Sequence, residues 1–404
     1  MARRTLIAAL AVALLSVAPV AAQSGHRHAA ETACATTELR CASKVTPAFA
    51  RDGTLWLIWM AGGQVLVAHS ADLGRTLSPP VAVTQGAPKL DWGPDARPKI
   101  ALDNKGDVAV TFSIFRDDAF NGEVFTSRST DGGAHFAPPR PITADPDSQR
   151  FEAIGFRPDG QPFAAWLDKR DRAAARSAGK TYEGAALLFA SSPDGGASYA
   201  PATVAAPHTC ECCRLALAFD PAGRAVVVFR NMFDGGVRDH AVITFSEAGV
   251  PGPLHRVSTD DWQIAACPHH GPSLSVSPGG SYHVVWYTAG KARKGLFYAQ
   301  SRDGGQSFSA PMRLGDPDRA PSRPYVLAGA NQTAIVWKQF DGDSTAVELI
   351  TSPDDGKSWS APRVIATTTD ASDHPLLVTD GRAMYLSWMT KAEGYRLQPI
   401  GREP

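Results

Sequence analysis

The sequence predicts an all-β propeller built from four-stranded antiparallel blades, and three observations predict it. A short phrase recurs: Ser129-Thr130-Asp131-Gly132-Gly133-Ala134-His135-Phe136 returns at 192–199, 301–308 and 352–359, and a weaker copy at 70–77 has lost its aromatic. Around each copy, apolar and polar residues alternate at period two between Gly, Pro and Asp turns, the signature of strands and hairpins. Long helical periodicities are absent. The nearest thing to a helix, Lys169 to Lys180, is polar on every side and reads as a loop insertion. One supersecondary unit repeated at this period, with four antiparallel strands in each, closes radially into a propeller.

The elements follow in chain order. Met1-Ala2-Arg3-Arg4, an apolar run from Leu6 to Val20 and small residues up to Ala22 read as a secretory signal peptide over 1–22. The run is too short to span a bilayer, and no other segment is apolar enough, so no membrane span is expected after cleavage. The mature chain is expected to begin near Gln23 and to be exported, periplasmic or secreted. The propeller is assigned to 46–404. Its inner hairpins end at Trp59, Phe112, Trp166, Phe229, Trp286, Trp337 and Trp388, and proline-led fourth strands follow near Val81, Ile142, Val204, Val257, Leu314 and Val364. Seven blades are favoured, and six result if a terminal hairpin is an accessory. The last unit stops after a third strand, Tyr395 to Ile400. A ring must remove its edges, so segment 23–45 is expected to supply the missing outer strand through Leu39 to Val45.

The 404 residues carry 40 Lys plus Arg against 40 Asp plus Glu. A net charge of zero argues against a general nucleic-acid binder. Six cysteines in an exported chain permit disulfides.

The repeated phrase is read as structural. The unit between Ala206 and Arg256 has Ser246-Glu247-Ala248-Gly249 in its place, so one blade dispenses with it. In the others Asp accepts from turn amides, Gly supplies a positive φ and the aromatic packs into the blade. The pattern S-x-D-x-G-x-[ST]-aromatic resembles the Asp box, or BNR repeat, of the sialidase superfamily, over nearly the whole mature chain. The resemblance implies a sialidase-like propeller. It also implies an exo-alpha-sialidase type of glycoside hydrolase acting on an acidic sugar. Three arginines would grip the carboxylate, a tyrosine activated by a glutamate would attack, and an aspartate would transfer the proton. Arginine suits a planar carboxylate because its fork donates two parallel bonds. Arg97, in Ala96-Arg97-Pro98-Lys99, precedes an innermost strand but lacks the family's isoleucine. Arg323-Pro324 repeats that position, and Arg230 and Arg238 are further candidates. Glu152, Asp239 and Asp373 are the candidates for proton transfer. The adjacent pair Tyr182-Glu183 would point to opposite faces of a strand, which leaves the nucleophile unplaced.

A second constellation appears when the units are aligned on the residue that opens each innermost strand. The positions just before it hold Asp95 and Arg97; Arg150 and Glu152; Cys210, Cys212, Cys213 and Arg214; Cys267, His269 and His270; Arg323; and Asp373 and His374. They fall at one rim of the central channel. His208-Thr209-Cys210-Glu211-Cys212-Cys213 and Cys267-Pro268-His269-His270-Gly271-Pro272 lead into consecutive units and should face each other. They resemble phrases of a subgroup of exported bacterial BNR proteins, a resemblance that implies no particular activity. Thiolates with imidazoles suit a soft or borderline ion such as copper(I) or zinc, although the spacing is not a standard zinc pattern. The same cysteines also fit structural disulfides, with Cys267 bridging to an upstream cysteine and Cys34 to Cys41, or a thiol-reactive role. The two histidines favour a metal, because a disulfide needs neither. Asp239 fits a salt bridge with Arg238 or a partner that orients a histidine ligand. Trp92 and Trp262 read as rim residues that cover the core rather than stack on a sugar.

The leading expectation is an exported propeller binding a metal, a glycan or another small molecule. A copper or zinc site at Cys210, Cys212, Cys213, Cys267, His269 and His270 comes first. A glycoside hydrolase and a non-catalytic scaffold held by disulfides are the alternatives.

Overall fold

Seven blades follow one another around the ring in the computed structural model, which describes residues 36–180 and 182–401. The expected leader and Cys34 lie outside the described residues. The first blade comprises β1 (Lys44–Phe49), β2 (Leu55–Ala61), β3 (Gln64–Ser70) and β4 (Val81–Ala82). The second has β5 (Lys99–Leu102), β6 (Val108–Phe115), β7 (Gly122–Ser129) and β8 (Arg140–Pro141). The third has β9 (Gln149–Phe156), β10 (Pro162–Asp168), β11 (Ala185–Ser191) and β12 (Thr203–Thr209). The fourth has β13 (Ala216–Phe219), β14 (Ala225–Arg230), β15 (His240–Phe245) and β16 (Pro251–Arg256). The fifth has β17 (Ser273–Val276), β18 (Tyr282–Ala289), β19 (Lys294–Ser301) and β20 (Met312–Leu314). The sixth has β21 (Ser322–Ala328), β22 (Thr333–Phe340), β23 (Thr345–Ser352) and β24 (Arg363–Thr368), and the seventh has β25 (Leu376–Thr379), β26 (Met384–Thr390) and β27 (Gly394–Pro399). Every pairing is antiparallel between sequence neighbours, as the alternation requires.

The second strand of each blade is buried on both faces, so it reads as a continuous apolar run. Trp59, Trp166, Trp286, Trp337 and Trp388 lie near the ends of these strands at 0–1% exposure and fill the wedges between blades. Cation–π and cross-strand contacts extend the packing, as where the Arg396 guanidinium lies 4.8 Å from the Trp388 ring.

The ring closes differently from the sequence-based expectation. Residues 39–45 do not form an outer strand of the seventh blade, whose sheet has three strands among the described residues. Leu39–Cys41 is instead a short 3₁₀ turn, and Lys44 and Val45 open the innermost strand of the first blade. Leu39 packs in one apolar cluster with Leu397, Tyr395 and Trp59, and the Trp59 indole donates to the Thr37 carbonyl at 3.1 Å. Cys41 is disulfide-bonded. A side-chain latch joins the last blade to the first: Asp373 accepts from the Val45 amide at 3.2 Å and from Arg97 at 2.6 Å.

The recurrent phrase folds as the same turn five times, between third and fourth strands. In the copy at 301–308, Ser301 Oγ donates to Asp303 Oδ1 at 2.8 Å and accepts from the Gly305 amide at 2.9 Å, while the Ser307 amide donates to Asp303 Oδ1 at 2.9 Å. The copy at Ser70 keeps this network without its aromatic: Ser70 Oγ accepts from Gly74 at 2.8 Å and Asp72 accepts from the Thr76 amide at 2.8 Å. Gly305 has φ +89°, and an added Cβ would press on Tyr282 and Val242 at 3.2 Å, so the turn needs glycine twice over.

One loop differs from its reading. Arg170–Ser177 is a helix, α1, between β10 and β11. Its alanine and arginine residues are good helix formers, and it buries no residue, which is why no apolar stripe marked it.

Candidate functional site

Strands alternate in direction, so the links between blades and the loops between second and third strands share one face of the ring. The constellation read from the sequence lies on that face, but it divides into two sites.

The first is a sulfur cluster at the seam of the third, fourth and fifth blades. Cys210, Cys212 and Cys213 follow β12, and all three are buried free thiols. Cys210 Sγ lies 3.5 Å from Cys212 Sγ and 3.9 Å from Cys213 Sγ. Among the described residues, these three form the group whose donor atoms all lie within 4.8 Å of one another. Cys267, exposed and also free, lies near Cys212 in the link before the fifth blade, outside the compact group. Hydrogen bonds from Cys212 and Cys213 hold the Cys210 thiol well below its usual range, helped by the Arg230 and Arg238 charges. Cys212 is pushed up through its bonds to Cys210, Cys213 and Cys267, and burial pushes Cys213 up. Arg238 donates to Cys210 Sγ at 3.7 Å and to the Ala266 carbonyl at 3.2 Å, tying the two linkers together.

The histidines expected as ligands lie near these sulfurs but outside the compact group. His269 sits at φ +49°, and its ring faces Phe151 at 6.4 Å. His270 stacks on Tyr287 at 4.3 Å. Both leave a buried Nδ1 without a partner. Burial lowers the pKa of each, that of His270 to about 4, so both are neutral near pH 7.

The second site is the central channel. Asp95 is its hub: its fully buried carboxylate accepts from Arg214 Nη1 at 2.7 Å, Arg323 Nη1 at 3.0 Å and the Gly271 amide at 2.8 Å. Arg323 also donates to the His269 carbonyl. Arg97 is spent on Asp373 and on the Val45 carbonyl. Glu152 accepts from Ser113 at 2.7 Å and keeps its other oxygen buried without a partner. Burial raises its pKa, opposed by Lys99, whose own pKa burial lowers to about 7. Lys44 and Lys338 complete the ring, both lowered by burial, Lys338 to about 8. Tyr325 stands within the field of Arg97 and Arg214, and burial raises its pKa, which does not favour a phenolate nucleophile.

Of the seven residues nominated for hydrolase chemistry, Arg97, Arg323, Glu152 and Asp373 line this channel, and Arg230, Arg238 and Asp239 do not. Arg230 is a buried brace, donating to the carbonyls of Arg238, His270 and Tyr287 at 2.9, 2.9 and 3.1 Å under the Trp262 ring. Asp239 accepts from the amides of Asp260, Asp261 and Trp262 at 3.0, 3.0 and 3.2 Å. It shapes that loop. Asp373 is likewise saturated, with the His374 amide as a third donor at 2.7 Å. Trp262 is 6% exposed and covers the core. Sequence reading missed Lys44, Lys99 and Lys338. Lys44 and Lys99 open strands and Lys338 sits late in one, so all three look like surface residues until the ring turns them inward.

The chain is therefore a seven-bladed propeller with a sulfur cluster and a charged channel on one face. It is similar in fold to several solved structures. An ulvan lyase bound to -[GlcA(1-4)Rha3S]- has a TM-score of 0.59 at 11% identity, over 89% of this chain and 93% of that one. The α-L-arabinofuranosidase of Fusarium graminearum, in complex with arabinobiose, has a TM-score of 0.51 at 14% identity, over 89% and 92%. A Dyadobacter fermentans protein of unknown function has a TM-score of 0.51 at 16% identity, over 75% and 92%. No protein-family model and no curated protein matches the sequence.

Proposed function

We propose that this propeller is an exported protein that binds one soft metal ion, copper(I) or zinc, at Cys210, Cys212 and Cys213, with Cys267 at the rim. The observation that carries this reading is the spacing of the three sulfurs. Thiolates held about 2.3 Å from a common ion at tetrahedral angles lie about 3.8 Å apart, and the two measured separations, 3.5 and 3.9 Å, bracket that value. Arg230 and Arg238 offset the negative charge that several thiolates would bring. The donor set is soft and buried, which favours copper(I) and zinc over hard cations. His269 and His270 belong to the channel in this reading, not to the ion.

The test is metal titration of reduced, metal-free protein against a competing chelator, with elemental analysis of the product. One ion per chain, lost in Cys210→Ser and Cys213→Ser, supports the reading. No ion retained in competition refutes it.

The channel supports a second reading, an acidic saccharide as ligand or substrate. Lys44, Arg97, Lys99, Arg214, Arg323 and Lys338 outnumber Asp95, Glu152 and Asp373 there. Two propellers of similar fold hold saccharides in their structures. Glu152 would be the proton donor, since burial keeps it protonated to higher pH than an ordinary carboxyl. Binding of an anionic oligosaccharide that weakens with salt and with Arg323→Ala supports this reading. Equal binding of a neutral oligosaccharide counts against it.

A further inference from the structure

The sulfur cluster gathers four thiols, one more than the compact group needs. Cys267 comes from the opposite linker, is the exposed member, and lies near Cys212. Two residues before it on the same linker begins the wall of a cavity of about 800 Å³, formed by residues 263–265, α1 and the 232–238 loop. Arg172, Arg176, Lys180 and Arg238 line it against Glu183 and Glu211. Glu211 is already neutralised by Lys169 at 2.8 Å and Arg172 at 3.2 Å. Among the described residues neither Arg176 nor Lys180 has an ionic partner. Arg238 joins the cavity to the cluster, since it also holds Cys210 and the carbonyl that precedes Cys267. The cavity therefore attracts small anions to the edge of a thiol pair.

We propose that the cluster is a thiol–disulfide exchange site for small anionic disulfides, with Cys267 as the attacking thiol and Cys212 as the resolving thiol. Cys267 gives its proton to solvent, and its sulfur displaces one thiolate from the small disulfide, leaving a mixed disulfide. Cys212 loses its proton in turn and attacks the Cys267 sulfur. The second thiolate departs and the Cys212–Cys267 bond closes. Two protein thiols are oxidised, one disulfide is reduced to two small thiols, and the two protons released match the two thiolates formed. The closed bond withdraws Cys212 from the three-sulfur group, so the oxidised chain is expected to lose the metal affinity proposed above. The exchange itself rests on the sulfur placement and the cavity, not on a bound ion, and is measured on metal-free protein, so either proposal can fail alone.

The experiment treats reduced, metal-free full-length chain with oxidised glutathione, alkylates the remaining thiols and maps the peptides by mass spectrometry. The expected result is a 212–267 crosslink, a thiol titre lower by two per chain, and two reduced glutathiones released. Cys267→Ser, at an exposed position, should abolish the crosslink. Cys212→Ser should trap glutathione on Cys267; if that variant does not fold, the wild-type peptide map decides. Steering by the cavity predicts that oxidised glutathione reacts about tenfold faster than cationic cystamine at low salt, and that Arg176→Ala with Lys180→Ala removes the difference. A crosslink within Cys210, Cys212 and Cys213, glutathione persisting on wild-type Cys267, no reaction, or equal rates for the two disulfides would overturn the proposal.

Discussion

Replacing Asp95 by alanine should loosen the whole hub, and the size of the effect follows from its partners. The carboxylate is fully buried and serves Arg214, Arg323 and the Gly271 amide. Its charge also opposes, as a minor influence, the lowering of the Lys44 and Lys99 pKa values by burial. Removing one partner of a buried ion pair costs about 3–5 kcal/mol, because the other is left uncompensated. Two guanidiniums share this partner, so the loss should fall at the upper end of that range. Asp95→Asn retains an acceptor for Gly271 and one guanidinium, so it should lose roughly half as much. Urea unfolding followed by tryptophan fluorescence reads the difference, since buried tryptophans sit in five blades. A loss of about 5 kcal/mol moves the midpoint down by roughly 1 M for a chain of this size. If Asp95→Ala unfolds at the wild-type midpoint, the channel charges are solvated and the electrostatic account of the hub is wrong.

Three further outcomes are expected. Gly271→Ala would place a Cβ 2.3 Å from Arg214 Cγ and 2.5 Å from the Arg214 carbonyl oxygen; it should cost about 1–3 kcal/mol, measurable in the same denaturation, and an unchanged midpoint would contradict the close approach. His240 is buried with both ring nitrogens unpartnered, and burial holds its pKa well below the usual value. The unfolded chain takes up a proton below about pH 6.5 that the fold refuses, so stability present at neutral pH is lost as pH falls, by about 1.4 kcal/mol per pH unit for each such histidine. His240→Phe should flatten the pH dependence of the unfolding free energy by one proton between pH 6.5 and 5, and equal slopes would show that His240 does not contribute. Ion retention at the sulfur cluster should fall on acidification, because protons compete for the thiolates; retention that does not change with pH would argue for ligands other than sulfur.

The architecture was legible because two independent periodicities agree. The serine–aspartate turns fix the ends of third strands, and the aromatic residues from Trp59 to Trp388 mark the second strands, which run on past them. The clustering of Cys210, Cys212 and Cys213 was legible in their spacing, which keeps all three on one link between blades. The fate of the histidines was not: a positive φ at His269 and the stacking of His270 on Tyr287 set their rings, and neither leaves a mark at the level of residue type. Nor was the division of the arginines. Arg97 and Arg230 look alike in sequence, yet one faces the channel and the other braces backbone carbonyls. The seam was misread for a different reason. An open edge suggested a borrowed strand, whereas the partners of Asp373 include the Val45 amide, far away along the chain.

That seam has a consequence for the order of assembly. A wheel whose final sector is fastened to the first by the Asp373 carboxylate and by the packing of Tyr395 and Leu397 on Leu39 and Trp59 cannot be locked until its last segment has been made. Until then Arg97 and Lys44 face each other without the counter-charge they meet in the finished ring. Truncation before residue 373 should therefore leave an open, self-repelling arc, and a separately supplied seventh sector should snap it shut.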